Sequence, residues 1–134
     1  MYGFSIKLHD SFKKIVDCVT EDLKKEGFGI LTVIDVQKTL KEYLGIEKRP
    51  YLILGACNPE LAHKALETDP NIGLLLPCNV VVREETDNNV IVSFMDPFII
   101  STLAKNLEIT KIANEVRKRL ERVRKCLFGN KQTS

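Results

Sequence analysis

Two Cys-Asn dipeptides, Cys57-Asn58 and Cys78-Asn79, are the residues best suited to chemistry. A cysteine attacks or binds as its thiolate, and the N–H groups and dipole of a helix start favour that form. Cys57 fits such a position. Tyr51 to Ala56 reads as a strand, and Asn58-Pro59-Glu60 opens a helix, with Asn as N-cap, Pro at the first helical position and Glu at the positive end. A strand end running into a helix start is also where anions and ligands collect. Pro77 fixes the approach to Cys78, and Asn79 supplies a second amide. On this reading Cys57 is the nucleophile or acceptor and Cys78 the resolving thiol or a second wall. Asn58 and Asn79 orient a polar ligand, and Asp96 serves as acid or base. The competing reading makes both thiols small buried hydrophobes and the two asparagines a cap and a turn residue.

Other chemistries find little support. Cys18, Cys57, Cys78 and Cys126 form no C-x-x-C pair, and their spacings of 39, 21 and 48 match no zinc module. His9 and His63 lack metal-spaced partners, so no metal site is expected, and His63 reads as a surface residue. Phosphate-binding glycine loops, the G-x-S-x-G elbow and H-E-x-x-H are absent. No pair of cysteines reads as a disulfide; Cys18 lies beside an apolar stripe and is expected to pack.

The elements that must position these residues follow from periodicity. Tyr2 to Leu8 alternates as a half-buried strand, with Asp10 as the next N-cap. Phe12, Ile15, Val16, Val19 and Leu23 form a helical stripe ending at Gly27. Gly29 to Val36 reads as a strand, and 36–44 as a short helix capped by Asp35 and stopped by Gly45. After the strand and helix around the first dipeptide, Ile72 to Pro77 is apolar but too short for a helix. Cys78 to Glu85 and Val90 to Met95 form a hairpin. A helical turn at 98–103 and one long stripe from Ile109 to Leu127 complete the chain.

The 134 residues fit one domain, 1–128, with a frayed polar tail at 129–134. A composition 44% hydrophobic and 28% charged excludes disorder, and the absence of Trp argues against a base-stacking platform. The net charge of +2 is too small to imply a polyanion partner. Residues 111–125 carry 7 basic and 2 acidic side chains, a local +5, read as a solvated helix face. The N-terminus lacks a secretory pattern and no run reaches ~18 apolar residues, so a cytoplasmic protein without a membrane span is expected.

The stretches Gly55-Ala56-Cys57-Asn58-Pro59-Glu60-Leu61-Ala62, Ile72 to Val82 and Val92-Ser93-Phe94-Met95-Asp96-Pro97 resemble the bacterial and archaeal family called domain of unknown function 302. The resemblance spans about residues 2–125. It implies an α+β fold, a β-α-β4-α sandwich similar to one TATA-binding-protein repeat, with an antiparallel sheet, helices on one face and extra short helices. The family's pattern falls on Gly55, Cys57, Asn58, Pro59, Leu61, Ala62, Pro77, Cys78, Asn79, Asp96 and Pro97. It implies a site and no reaction, and DNA binding does not follow from the fold. The resulting candidates are Cys57, Cys78 and Asp96 for catalysis, and Gly55, Asn58, Pro59, Pro77 and Asn79 for ligand binding. The expected function is small-molecule binding at a thiol-lined site, with sulfur or redox chemistry as its reactive form. The alternative is a non-catalytic binding or dimerisation domain with structural cysteines. The partners considered are an unidentified small molecule and a second copy of the chain, with no specific nucleic acid and no membrane; the cofactor is left unknown.

Overall fold

The computed structural model describes residues 2–132, and side chains as far as residue 129. Strand β1 (Gly3–His9) leads into helix α1 (Phe12–Lys25), followed by β2 (Gly29–Asp35), α2 (Val36–Leu44) and β3 (Tyr51–Cys57). Helix α3 (Pro59–Thr68), a 3-10 segment (Pro70–Leu75), and the hairpin β4 (Cys78–Thr86) and β5 (Asn89–Met95) come next. Helices α4 (Phe98–Ala104) and α5 (Leu107–Gln132) close the chain. The five strands form one open antiparallel sheet in the order β1-β5-β4-β3-β2. This is the α+β arrangement expected, and it leaves β1 and β2 as edges.

Strand alternation gives the sheet an apolar inner face: Leu8 on β1, Leu54 on β3, Val80 and Val82 on β4, and Val90, Val92 and Phe94 on β5. Against it lie Ile15, Val19 and Leu23 of α1 and Leu120, Val123 and Leu127 of α5, all essentially without solvent contact. Gly27, at φ +87°, lets the chain leave α1 in the left-handed region and deliver Phe28 to the core.

Local signals read from the sequence mostly govern the element ends. Asp35 and Asn58 cap α2 and α3 through their side-chain oxygens, and Gly45 ends α2 in the left-handed region. At α1 the cap is Ser11 instead of Asp10: Ser11 Oγ accepts from Lys14 N, while Asp10 Oδ1 accepts from Ser11 N. The apolar run 72–77, read as too short for a helix, overlaps the 3-10 segment at residues 72–75, and Asp69 caps that segment. Helix α5 runs past residue 128 to Gln132, so the tail expected from 129 is helical as far as 132; residues 133–134 lie outside the described residues. No helix among the described residues is long and apolar enough to cross a membrane.

Candidate functional site

The two Cys-Asn dipeptides meet at one end of the sheet. Ala56 at the end of β3 is the cross-strand partner of Cys78 at the start of β4, and Gly55 is the partner of Asn79. Helices α3 and α5 cross above this end and leave a cavity of about 50 Å³. A single water needs roughly 10–15 Å³ on such a measure, so the space takes about four water-sized groups. Leu61, Ala62 and Ala65 of α3 form one wall; Ile109, Ile112, Ala113 and Val116 of α5 form another. Phe28, Ile72 and Pro97 contribute to the remainder, and Cys57, Asn58, Pro77 and Cys78 also line it. The only polar side chains in this lining are the two thiols and Asn58.

The thiols are neighbours but out of step. Cys78 faces Ala56 across the ladder, whereas Cys57 pairs with Gly29 on β2. The two are therefore not a directly opposed pair in the ladder, and both residues are thiols. Cys78 is buried, and burial pushes its pKa up to about 11, with the nearby Cys57 adding to the rise. At pH 7 the folded Cys78 is therefore the neutral thiol. Burial also raises the Cys57 thiol. The sequence predicts a thiolate-favouring helix start at Cys57; desolvation works the other way, and the N–H of Leu61 is directed to Asn58 Oδ1 at 3.1 Å.

Each of the other candidates has a structural task. Asn58 is 7% exposed; its oxygen caps α3, and its Nδ2 reaches Glu26 O at 3.5 Å, a long contact tying α3 to the end of α1. Gly55 sits where Thr32 and Pro77 press on the strand: a Cβ there would collide with Thr32 Oγ1 and meet Pro77 Cγ at 2.9 Å. The Leu76–Pro77 peptide is cis. Pro59 opens α3 and is exposed.

Asn79 and Asp96 do not join the cavity. Asn79 is exposed on the outer face of the sheet, beside Val81 and Ser93, because it follows Cys78 by one residue in the same strand. Asp96 Oδ1 accepts from Phe98 N at 2.9 Å and Oδ2 pairs with Arg117 at 3.1 Å, fixing the start of α4 to α5. Cavity residues not singled out from the sequence are those of α5, together with Phe28, Ala56, Ala65, Ile72, Leu76 and Ile100. Their signal was the set of small residues at inward positions, Ala56, Ala65 and Ala113, which leave volume where larger side chains would fill it.

The basic run of α5 is largely engaged within the fold. Arg117 meets Asp96, Arg119 pairs with Glu115 and donates to Glu26 O, Arg122 pairs with Glu26, and Arg124 pairs with Glu121. His63 is exposed and lies 4.0 Å from Glu67. Among the described residues, no group of three or more His, Cys, Asp or Glu side chains is placed to hold a metal ion.

Comparison with known proteins gives a consistent result. The family model "Domain of unknown function DUF302" matches residues 4–127. The chain is similar in structure to one described as an uncharacterized conserved protein DUF302 from Bacillus stearothermophilus. The two are 27% identical, with a TM-score of 0.84 over 92% of this chain and 95% of the other. No curated protein matches.

Proposed function

The chain belongs to the DUF302 family, and on that premise we propose that it is a small-molecule-binding domain whose ligand enters the cavity between the β3–β4 end, α3 and α5. The observation that carries this reading is the convergence of Cys57, Asn58, Pro77 and Cys78, from two separate stretches of sequence, on one apolar space of about 50 Å³. The lining selects the ligand class: an uncharged apolar group of about four heavy atoms, alone or as the end of a larger molecule. Raised thiol pKa values support binding over thiolate catalysis, and sulfur or redox chemistry is the less favoured form of the proposal.

The test uses xenon as a neutral apolar probe, followed by methyl resonances of alanine- and isoleucine-labelled protein. Saturable shifts centred on Ala62, Ala65, Ile109 and Ala113 are expected, and Ala113→Leu should remove them while the protein still melts cooperatively. Absent shifts, or shifts unchanged by Ala113→Leu, would overturn the reading. The second reading, a non-catalytic binding or dimerisation domain with structural cysteines, is favoured by a different observation: the Asn58 amide is engaged in the fold, capping α3 and reaching α1.

A further inference from the structure

The two edges of the sheet are unlike. Edge strand β1 packs against α5 and carries Lys7, which pairs with Glu85 on β4. Edge strand β2, Gly-Ile-Leu-Thr-Val-Ile-Asp, has no charged side chain before Asp35 at its end. Leu31, Val33 and Ile34 on it are 67%, 57% and 51% exposed. Soluble proteins usually guard such an edge with lysine, proline or a bulge, because its unpaired N–H and C=O groups template another strand. The only such guard on β2 is a bulge between Ile30 and Thr32, which leaves Thr32–Asp35 in regular pairing on its inner side.

A second feature points to the same place. Helix α2 follows β2 without a break, is amphipathic, and buries none of its residues. Tyr43 and Leu44 at its end and Ile46 just beyond it are exposed. An amphipathic helix is ordinarily held by burial of its apolar side. Together with the three β2 residues, these side chains expose on the order of 700 Å² of largely apolar surface, against the ~800 Å² per partner of a standard interface.

We propose that this surface is the interface of a two-fold dimer of the chain, with β2 pairing antiparallel to β2 of a second copy so that two five-stranded sheets become one of ten strands. The identity of the occupant follows from self-complementarity. A register centred on Val33, within the regular segment beyond the bulge, sets valine against valine at the axis and Thr32 against Ile34 of the second copy, two positions that pairing with Gly55 and Ile53 places on one face. Each is a favourable cross-strand pair, and no like charges meet.

The test is sedimentation equilibrium and light scattering of the full chain, with Val33→Lys and Ile34→Lys as interface variants and Leu103→Lys, on exposed α4 surface, as control. Wild type and Leu103→Lys should be dimers. Each β2 lysine acts twice across the two-fold axis and should weaken association about 100-fold or more. Far-ultraviolet spectra and thermal melts verify that the variants fold; if one does not, Leu31→Ser serves in its place. A wild-type chain that stays monomeric at about 100 µM, a concentration at which an interface of this size should be occupied, overturns the proposal. So does a dimer that survives the folded β2 variants, or one that Leu103→Lys alone disrupts.

Discussion

The buried thiol of Cys78 makes the fold sensitive to alkaline pH in a way that can be isolated. Its folded-state pKa is about 11, whereas an unfolded thiol titrates near 8.5. A group whose pKa is raised by folding contributes its full stabilisation below the unfolded value and loses it as pH rises toward the folded value. The window is therefore roughly pH 8.5 to 11. At pH 10 the unfolded thiol is almost fully ionised and the folded one is not, which corresponds to a loss of about 2 kcal/mol relative to pH 7. Lysines and tyrosines titrate in the same range, so the reference is Cys78→Ala, which keeps those groups and removes the thiol. Urea unfolding of both proteins at pH 7, 8.5 and 10, with the difference in unfolding free energy plotted against pH, gives the thiol's share. The gap between wild type and variant should narrow by about 2 kcal/mol from pH 7 to pH 10. In parallel, iodoacetamide at pH 7.5 should label Cys78 at least about 100-fold more slowly than the same cysteine in the denatured chain, because the thiolate fraction falls by that order before steric protection is counted. Parallel stability curves, or labelling of folded Cys78 at the free-thiol rate, would refute the buried, protonated thiol and return Cys57 and Cys78 to consideration as a reactive pair.

Three further outcomes follow from named contacts. Asn58→Ala removes the α3 cap and should cost about 1–2 kcal/mol, a drop of roughly 4–7 °C in midpoint for a domain of this size, while Asn58→Asp keeps the capping oxygen but sets a buried carboxylate toward Glu26 O and should recover only part of it; thermal melts decide. Gly55→Ala forces a methyl group against Thr32 and Pro77 and should destabilise by about 1–3 kcal/mol in chemical denaturation, with Thr32→Ala restoring part of the loss in the double variant. Asp96→Asn keeps an oxygen for Phe98 N but loses the ion pair to the half-exposed Arg117; a melting shift equivalent to about 0.2–1 kcal/mol is expected, and a much larger one would show that the pair anchors α4 more firmly than its exposure suggests.

The sequence determined by itself those features whose causes lie within a few residues. The order of strands and helices is written in the alternation along β1 and in the helical stripe from Ile109 to Leu127. The start of α3 is legible because an asparagine oxygen, a proline without an N–H and an acidic residue satisfy a helix end locally. Even the separation of Asn79 from Cys78 was available in principle. Once Cys78 to Glu85 is read as a strand, neighbours in it face opposite sides, so a Cys-Asn pair cannot present both side chains to one ligand.

The remaining features depend on contacts between distant segments. Register is one case: nothing near Cys57 states that Ala56 will be the residue opposite Cys78, because that choice is made by the packing of β3 and β4 under α3 and α5. Desolvation is another. A helix start pulls a thiol pKa down through local dipoles, but whether burial outweighs it depends on segments 20 and more residues away, from Pro77 to Val116. The arginines of α5 look like a basic surface in sequence and become internal ties once Glu26 and Asp96 arrive from other elements. The glycine at 55 reads as the close of a strand, and only the approach of Thr32 from one side and Pro77 from the other shows why no larger residue fits.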